Sequence, residues 1–195
     1  FDLAFEFDVT ENTCDVLRYN GSYDAFAGTE MTIDRFIDDI NLLVHPDDAP
    51  LCEKNFNMDF LNNEFLLGRT QVYFEVRLKN NEEDYKWVSI LITKENEYAT
   101  GNYLLCLIQD IEERKRNENK LRLEAEIKFM RASLYFDLMK RYKEIIIYDE
   151  DLLAYTKDKA VSTEKEGWDF IYEDLNFAAQ NLPARETAKG RLNKG

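Results

Sequence analysis

The chain has 195 residues, 33% charged and 45% hydrophobic, with 7 Gly and 3 Pro, a globular composition that excludes collagen-like, low-complexity and wholly disordered chains. Its 25 Lys and Arg against 39 Asp and Glu leave a formal net charge of −14, which argues against a nucleic-acid-binding surface, because phosphate contacts need the opposite sign. The longest uncharged run, Tyr98 to Gln109, is too short to span a bilayer, and no basic segment followed by an apolar run opens the chain, so neither a membrane span nor a signal peptide is expected. Starting at Phe1, it reads as an excised piece.

The charge is stepped along the chain. Residues 1–110 hold 22 acids and 8 bases, whereas residues 111–195 hold 17 of each, which predicts two units of different origin with a boundary near residue 110. The cysteines Cys14, Cys52 and Cys106 are odd in number and widely spaced, so buried free thiols are expected; with a single histidine, no zinc site is.

In chain order, residues 2–8 and 14–19 read as strands around a polar turn. Residues 32–43 place Ile33, Phe36, Ile37, Ile40 and Leu43 at helical spacing. In Val44-His45-Pro46-Asp47-Asp48, proline suits a helix's first turn and the aspartates suit its dipole, predicting a second helix through Leu51, Phe56 and Phe60. From residue 70 the period becomes two. Val72, Phe74, Val76 and Leu78 share one strand face; after the turn Asn80 to Asp84, Tyr85, Trp87, Ser89 and Leu91 oppose Lys86, Val88, Ile90 and Ile92. A last apolar strand, YLLCLIQ, follows a turn at Thr100-Gly101-Asn102. The economical solution is an α+β fold, a five-stranded antiparallel sheet with short helices on one face. Asp110, between this strand and a long helical pattern, forms a capping-box arrangement with Glu113.

Ile111 to about Ile147 contains no Gly or Pro and is helical throughout. Leu123, Ile127, Met130 and Leu134 follow 4-3-4 spacing, a short heptad seam that serves either a coiled coil or packing against another helix of the chain. Thr163 to Glu166 makes a second capping box, and Trp168, Ile171, Leu175, Ala178 and Leu182 mark one face of a helix ended by Pro183. The three expected parts are thus residues 1–110, a connecting helix 111–147, and a loop plus helix over 148–195.

Two families are reached by these residues. The element order, Val44-His45-Pro46-Asp47-Asp48, Glu75-Val76-Arg77, Tyr85-Lys86-Trp87-Val88 and Gln109-Asp110-Ile111-Glu112-Glu113-Arg114-Lys115 resemble a PAS domain over about residues 1–120, of the type found ahead of bacterial diguanylate cyclase and histidine kinase modules. This chain departs in having Glu112 where the family carries threonine, and in the turn NNEED, which lacks the family's glycine. The resemblance implies a sensory domain with a small-molecule pocket lined by Phe36, Leu43, Phe65, Trp87 and Leu91, and a joint at Asp110 and Glu113 that passes core strain to the following helix. It implies a cytoplasmic location; the long helix needs a partner, so a homodimer is expected. Over about residues 124–195, Glu126 to Ala132, Tyr135-Phe136-Asp137-Leu138, Tyr142, then Ile171, Asp174-Leu175, Ala178-Ala179, Leu182-Pro183, Gly190-Arg191 and Lys194-Gly195 resemble helices of SusD/RagB-type nutrient-binding lipoproteins, with Lys143 where that family has glycine. That half implies an outer-membrane or periplasmic setting, so the join reads as a chimera; glycan binding is not carried over, because the sugar-binding regions are missing.

No Ser/His/Asp arrangement, phosphate-binding glycine loop or flavin photoreceptor cysteine motif occurs, and His45 is placed for a helix start rather than for haem. Neither an enzyme activity nor a cofactor is expected.

Overall fold

The computed structural model describes residues 1–27, 31–94, 102–148, 160–184 and 191–193. The turn expected at Thr100-Gly101, most of the loop before Thr163, and Gly190, Lys194 and Gly195 of the second resemblance lie outside them. Contacts divide the chain into two units, Phe1–Lys115 and Arg116–Gly195.

The first unit is an antiparallel sheet of β1 (Leu3–Asp8), β2 (Thr13–Arg18), β3 (Met31–Thr32), β4 (Gln71–Lys79), β5 (Tyr85–Lys94) and β6 (Tyr103–Asp110), in the spatial order β3-β2-β1-β6-β5-β4. One strand beyond the expected five is present: β3 is two residues long, too short to leave a periodic signature. Helices α1 (Ile33–Leu43), α2 (Ala49–Asn55) and α3 (Met58–Leu66) lie between β3 and β4. Thr32 caps α1 through the Arg35 N–H, and Ile33, Phe36 and Ile40 are its buried stripe. The single helix expected through Leu51, Phe56 and Phe60 is two, because Asn57 accepts from the Asp59 and Phe60 N–H groups and starts α3 afresh. The helix also starts at Ala49, not at Pro46, with Pro50 in its first turn.

Strand alternation delivers Leu3, Phe5 and Phe7 of β1, Val72, Phe74, Val76 and Leu78 of β4, Val88, Ile90 and Ile92 of β5, and Leu104, Cys106 and Ile108 of β6 to one core beneath the helices. Cys14, Cys52 and Cys106 are free and buried within it. Burial pushes the Cys14 and Cys52 thiols up to about 12 and Cys106 well above its ordinary value. The NNEED turn manages without glycine by putting Glu83 in the left-handed region at φ 65°.

The helix α4 (Glu112–Tyr142) starts in the first unit and runs through the second; it stops short of the expected Ile147. Lys143, at the position where the SusD/RagB pattern carries glycine, adopts φ 61°, and its N–H donates to the Met139 carbonyl. Lys143→Gly should therefore raise the stability of the second unit by about 0.5–1 kcal/mol in urea unfolding, the side chain's left-handed strain outweighing glycine's chain entropy.

In the second unit α5 (Glu164–Asn181) begins with the full expected capping box, Thr163 and Glu166 bonding reciprocally. Its buried face is Gly167, Ile171, Asp174 and Ala178: Ile171, Ala178 and Leu182 of the expected stripe are buried, whereas Trp168 and Leu175 are 36% and 39% exposed and Gly167 and Asp174 take the buried places beside them. The reason is specific. Asp174 takes a bidentate pair from Arg131 (Nε–Oδ2 2.7 Å, Nη2–Oδ1 2.7 Å), and Gly167 lies against Met139 with no room for a Cβ. From α4 the buried residues are Ala125, Ala132 and Met139, seven apart; the two alanines leave room for α5, and Met139 fills the space beside Gly167. Among the described residues, no helix is long and apolar enough to cross a membrane.

Candidate functional site

The exit from β6 into α4 is a dense polar junction on the sheet's outer face. Ladder pairing continues past the strand end, for the Ile111 N–H donates to the Trp87 carbonyl (2.9 Å). The Trp87 N–H in turn donates to Glu112 Oε2 (3.1 Å), so the glutamate in the family's threonine place supplies its own bond to β5. Asp110 Oδ1 accepts from the Glu112 N–H (2.7 Å), which is half of the expected capping box. The other half belongs to a different residue: the Asp110 N–H donates to Asp2 Oδ2 (2.7 Å), not to Glu113.

Glu75 on β4 is the second anchor. Its carboxylate takes Lys115 Nζ (2.5 Å), Arg114 Nη2 (2.7 Å) and the Tyr73 hydroxyl (2.5 Å), tying the first turn of α4 to the sheet. Burial alone would raise the Glu75 pKa; the hydrogen bonds from Lys115, Tyr73 and Arg114 and the Lys115 charge outweigh it and hold the group at about 2. A carboxyl held below its ordinary value of 4.5 contributes stability above that pH and loses it as pH falls toward 2. The difference in unfolding free energy between the wild type and Glu75→Gln is therefore expected to be flat above pH 5 and to shrink between pH 4.5 and 2. A difference that stays constant through that window would show that the clamp carries no net charge interaction.

A third group joins α2 to the same face. Arg77 donates to Asp48 through Nε (2.7 Å), Nη2 (2.9 Å) and its backbone N–H (3.0 Å), while the His45 N–H donates to the Arg77 carbonyl (2.9 Å). Asp48 stands at the N-cap of α2 but makes no side-chain capping bond; its oxygens go to Arg77 instead. Burial raises the Asp48 pKa, but the Arg77 bonds and charge outweigh it and hold the carboxyl below its ordinary range. Arg77 and Lys115 both lie over the Trp87 ring, at 5.2 and 4.9 Å from its centroid. Trp87 thus links the Asp48–Arg77 pair to the Glu75–Lys115 clamp.

The residues expected to line a pocket separate into two groups. Phe36 is fully buried among Phe5, Phe7, Phe26 and Phe56, with ring centroids 4.5–5.8 Å away, and Leu43 and Phe65 pack against the same core. Trp87 and Leu91 are on the other face of β5, away from Val88, Ile90 and Ile92. Both faces of that strand are apolar, so alternation alone cannot orient it; Val88, Ile90 and Ile92 join the core and Trp87 lies outside, under the two cations. Sequence reasoning missed the Glu75 clamp, whose available signal was a carboxylate and a tyrosine on an outward strand face facing two bases in the next helix.

On α4, Leu123, Ile127, Met130 and Leu134 belong to neither of the buried clusters among the described residues of the second unit. They are 47%, 59%, 53% and 69% exposed. Among the described residues the heptad seam is a half-exposed apolar stripe on the helix.

No family model matches the chain, and no curated protein matches it. Among solved structures, it is similar to a SusD-like protein from Bacteroides fragilis, 41% identical over 40% of this chain and 16% of that one, with a TM-score of 0.37. It is also similar to a sensory box histidine kinase/response regulator from Burkholderia thailandensis (18% identity, 62% of this chain, 85% of that one, TM-score 0.42). A third likeness is to the N-terminal domain of a diguanylate cyclase with PAS/PAC sensor from Marinobacter aquaeolei (10% identity, 58% and 97%, TM-score 0.37). The neighbours therefore include both PAS-type sensor proteins and a SusD-like protein, of which the chain spans less than a fifth.

Proposed function

We propose that residues 1–115 are a non-catalytic sensory module that reports on its core through α4, and that α4 dimerises through the seam Leu123, Ile127, Met130 and Leu134. The observation that carries the reading is the junction itself: the first turn of α4 is bonded to β5 through Trp87 and to β4 through Glu75, so a ligand or partner that shifts those strands displaces the helix start. Asp110 is the cap that keeps the helix in register with the strand, accepting from the Glu112 N–H and donating its own to Asp2. The setting would be the bacterial cytoplasm.

Sedimentation velocity over a concentration series tests both halves. The wild type should be a reversible dimer, and Ile127→Lys with Leu134→Lys should weaken it at least tenfold without loss of helix content. Glu75→Gln should also shift the dimer constant. If the seam variant shifts it and Glu75→Gln does not, the relay is wrong; a wild type that stays monomeric removes dimerisation.

A second reading rests on Lys143. Its left-handed conformation, at the place where SusD/RagB-type helices carry glycine, supports taking residues 116–195 as a piece of that helical scaffold, joined to a sensory domain in a chimera. One natural reading frame spanning residues 100–150 would sink the chimera.

A further inference from the structure

The first unit has a cleft of about 310 Å³ outside the aromatic cluster, at the end of the sheet where β1 and β6 meet. Leu3, Val88 and Ile108 give it an apolar floor. Its walls carry the carboxylates of Asp2, Asp110 and Glu82 against one ammonium, Lys86. This volume is at the small end of ligand sites, and an apolar floor with a few polar groups is their usual lining.

The cleft is built rather than incidental. Asn81 closes one side by donating from Nδ2 to the Gly21 carbonyl (3.0 Å) and to Asp24 Oδ1 (2.9 Å), and from its N–H to the Ser22 carbonyl (3.2 Å). The Asp24 N–H returns a bond to Asn81 Oδ1 (2.8 Å), so the loop after β2 is stitched to the β4–β5 hairpin. Asp2 and Asp110 each spend one oxygen on a backbone N–H, leaving the other without a partner among the described residues.

Tyr23 is the independent sign of a ligand. It lines the cleft and is 6% exposed, yet its hydroxyl has no hydrogen-bond partner among the described residues. The residue is enclosed, but its hydroxyl oxygen is not among the buried unpaired polar atoms, so it opens to the cleft, where a ligand can supply its bond. Burial first, then the charges of Asp110 and Asp2, push Tyr23 up to about 12, so the hydroxyl stays protonated beside two carboxylates. Among the described residues, no three His, Cys, Asp or Glu side chains converge as metal ligands. The acids are spread around walls, which suits a cation of molecular size.

We propose that this cleft binds a small organic ammonium ion with an apolar body, its charge held between Asp2, Asp110 and Glu82, its body on Leu3, Val88 and Ile108, and a polar atom met by the Tyr23 hydroxyl. The inference goes beyond the sensory reading, because binding here holds whether or not the junction relays it.

The test is a titration of the full chain, labelled with nitrogen-15, at pH 7 with three probes sharing one body: 2-phenylethylammonium, 2-phenylethanol and phenylacetate. Saturable shifts at the Tyr23, Asn81 and Val88 amides are expected with the cation, at least tenfold weaker binding with the alcohol, and none with the anion. Tyr23→Phe keeps the buried ring and should weaken the cation several-fold; Glu82→Lys, at an exposed hairpin position, should weaken it at least fivefold without touching the core. Equal binding of cation and alcohol, no saturable shift, or cation binding unchanged in both variants overturns the proposal. Cation binding that leaves the Glu112 to Arg114 amides and the dimer constant unmoved keeps the cleft and removes the relay. No binding, with Glu75→Gln still shifting the dimer, removes the cleft alone.

Discussion

Phe36→Ala is expected to destabilise the first unit by about 3–5 kcal/mol, the range for deleting a fully buried aromatic side chain. Phe36 comes from α1 and stands where that helix meets the sheet, in contact with Phe5 and Phe7 of β1, with Phe26, and with Phe56 after α2. None of those rings is more than 1% exposed, so no neighbour can swing in from solvent to fill the gap. The loss therefore has two parts, the transfer energy of the ring and the cavity it leaves, plus the ring–ring contacts themselves. Because the chain has two units, a single unfolding curve is not two-state, and amide exchange resolved to β1 and β6 is the proper readout. Phe36→Leu should cost far less. A loss below about 1 kcal/mol for alanine would mean that the centre of the cluster collapses freely.

Asp174→Ala should cost the second unit about 3 kcal/mol or more, since breaking a buried ion pair from one side leaves the other charge stranded. The side chains of Arg131 and Asp174 are 18% and 4% exposed, and the guanidinium also lies over the Phe170 ring at 4.6 Å. Without its carboxylate, Arg131 must either stay desolvated or pull out of the interface and surrender that stacking. Arg131→Met with Asp174→Ala should recover most of the loss, because an apolar pair of similar volume removes the stranded charge. Amide exchange in α5 measures both, and the double-mutant cycle isolates the coupling. If the double variant is as unstable as Asp174→Ala, the ion pair is not what sets the helix register.

Much of the fold was legible because large apolar residues fall at period two or 3.6 where one face alone is buried. The strands β1, β4 and β6, the stripe of α1 and the Thr163 capping box are of this kind. What was hidden had other causes. In α4 the regular heptad stripe of Leu123, Ile127, Met130 and Leu134 is half-exposed or more, while Ala125, Ala132 and Met139 are the buried residues and Tyr135 and Phe136 meet rings of α5, so a search for aliphatic stripes selects the wrong face. In α5 a glycine and an aspartate occupy buried positions that pattern reading assigns to solvent. Trp87 and Leu91 were misplaced because β5 is apolar on both faces; Val88, Ile90 and Ile92 join the core, and on the outer face Trp87 lies under Arg77, its partner across the hairpin, and Lys115. The Asp110 cap was visible from its position; Asp2 as the partner of its N–H was not, since the two are 108 residues apart.

The three thiols have a practical consequence. Cys14, Cys52 and Cys106 all belong to the first unit, each buried and each held as an unreactive thiol at neutral pH. An alkylating reagent added to the native chain can reach them only when that unit opens, and the second unit offers it nothing to modify. The mass gained with time is thus a clock for one half of the molecule, running at the opening rate of the sheet and blind to the helical hairpin.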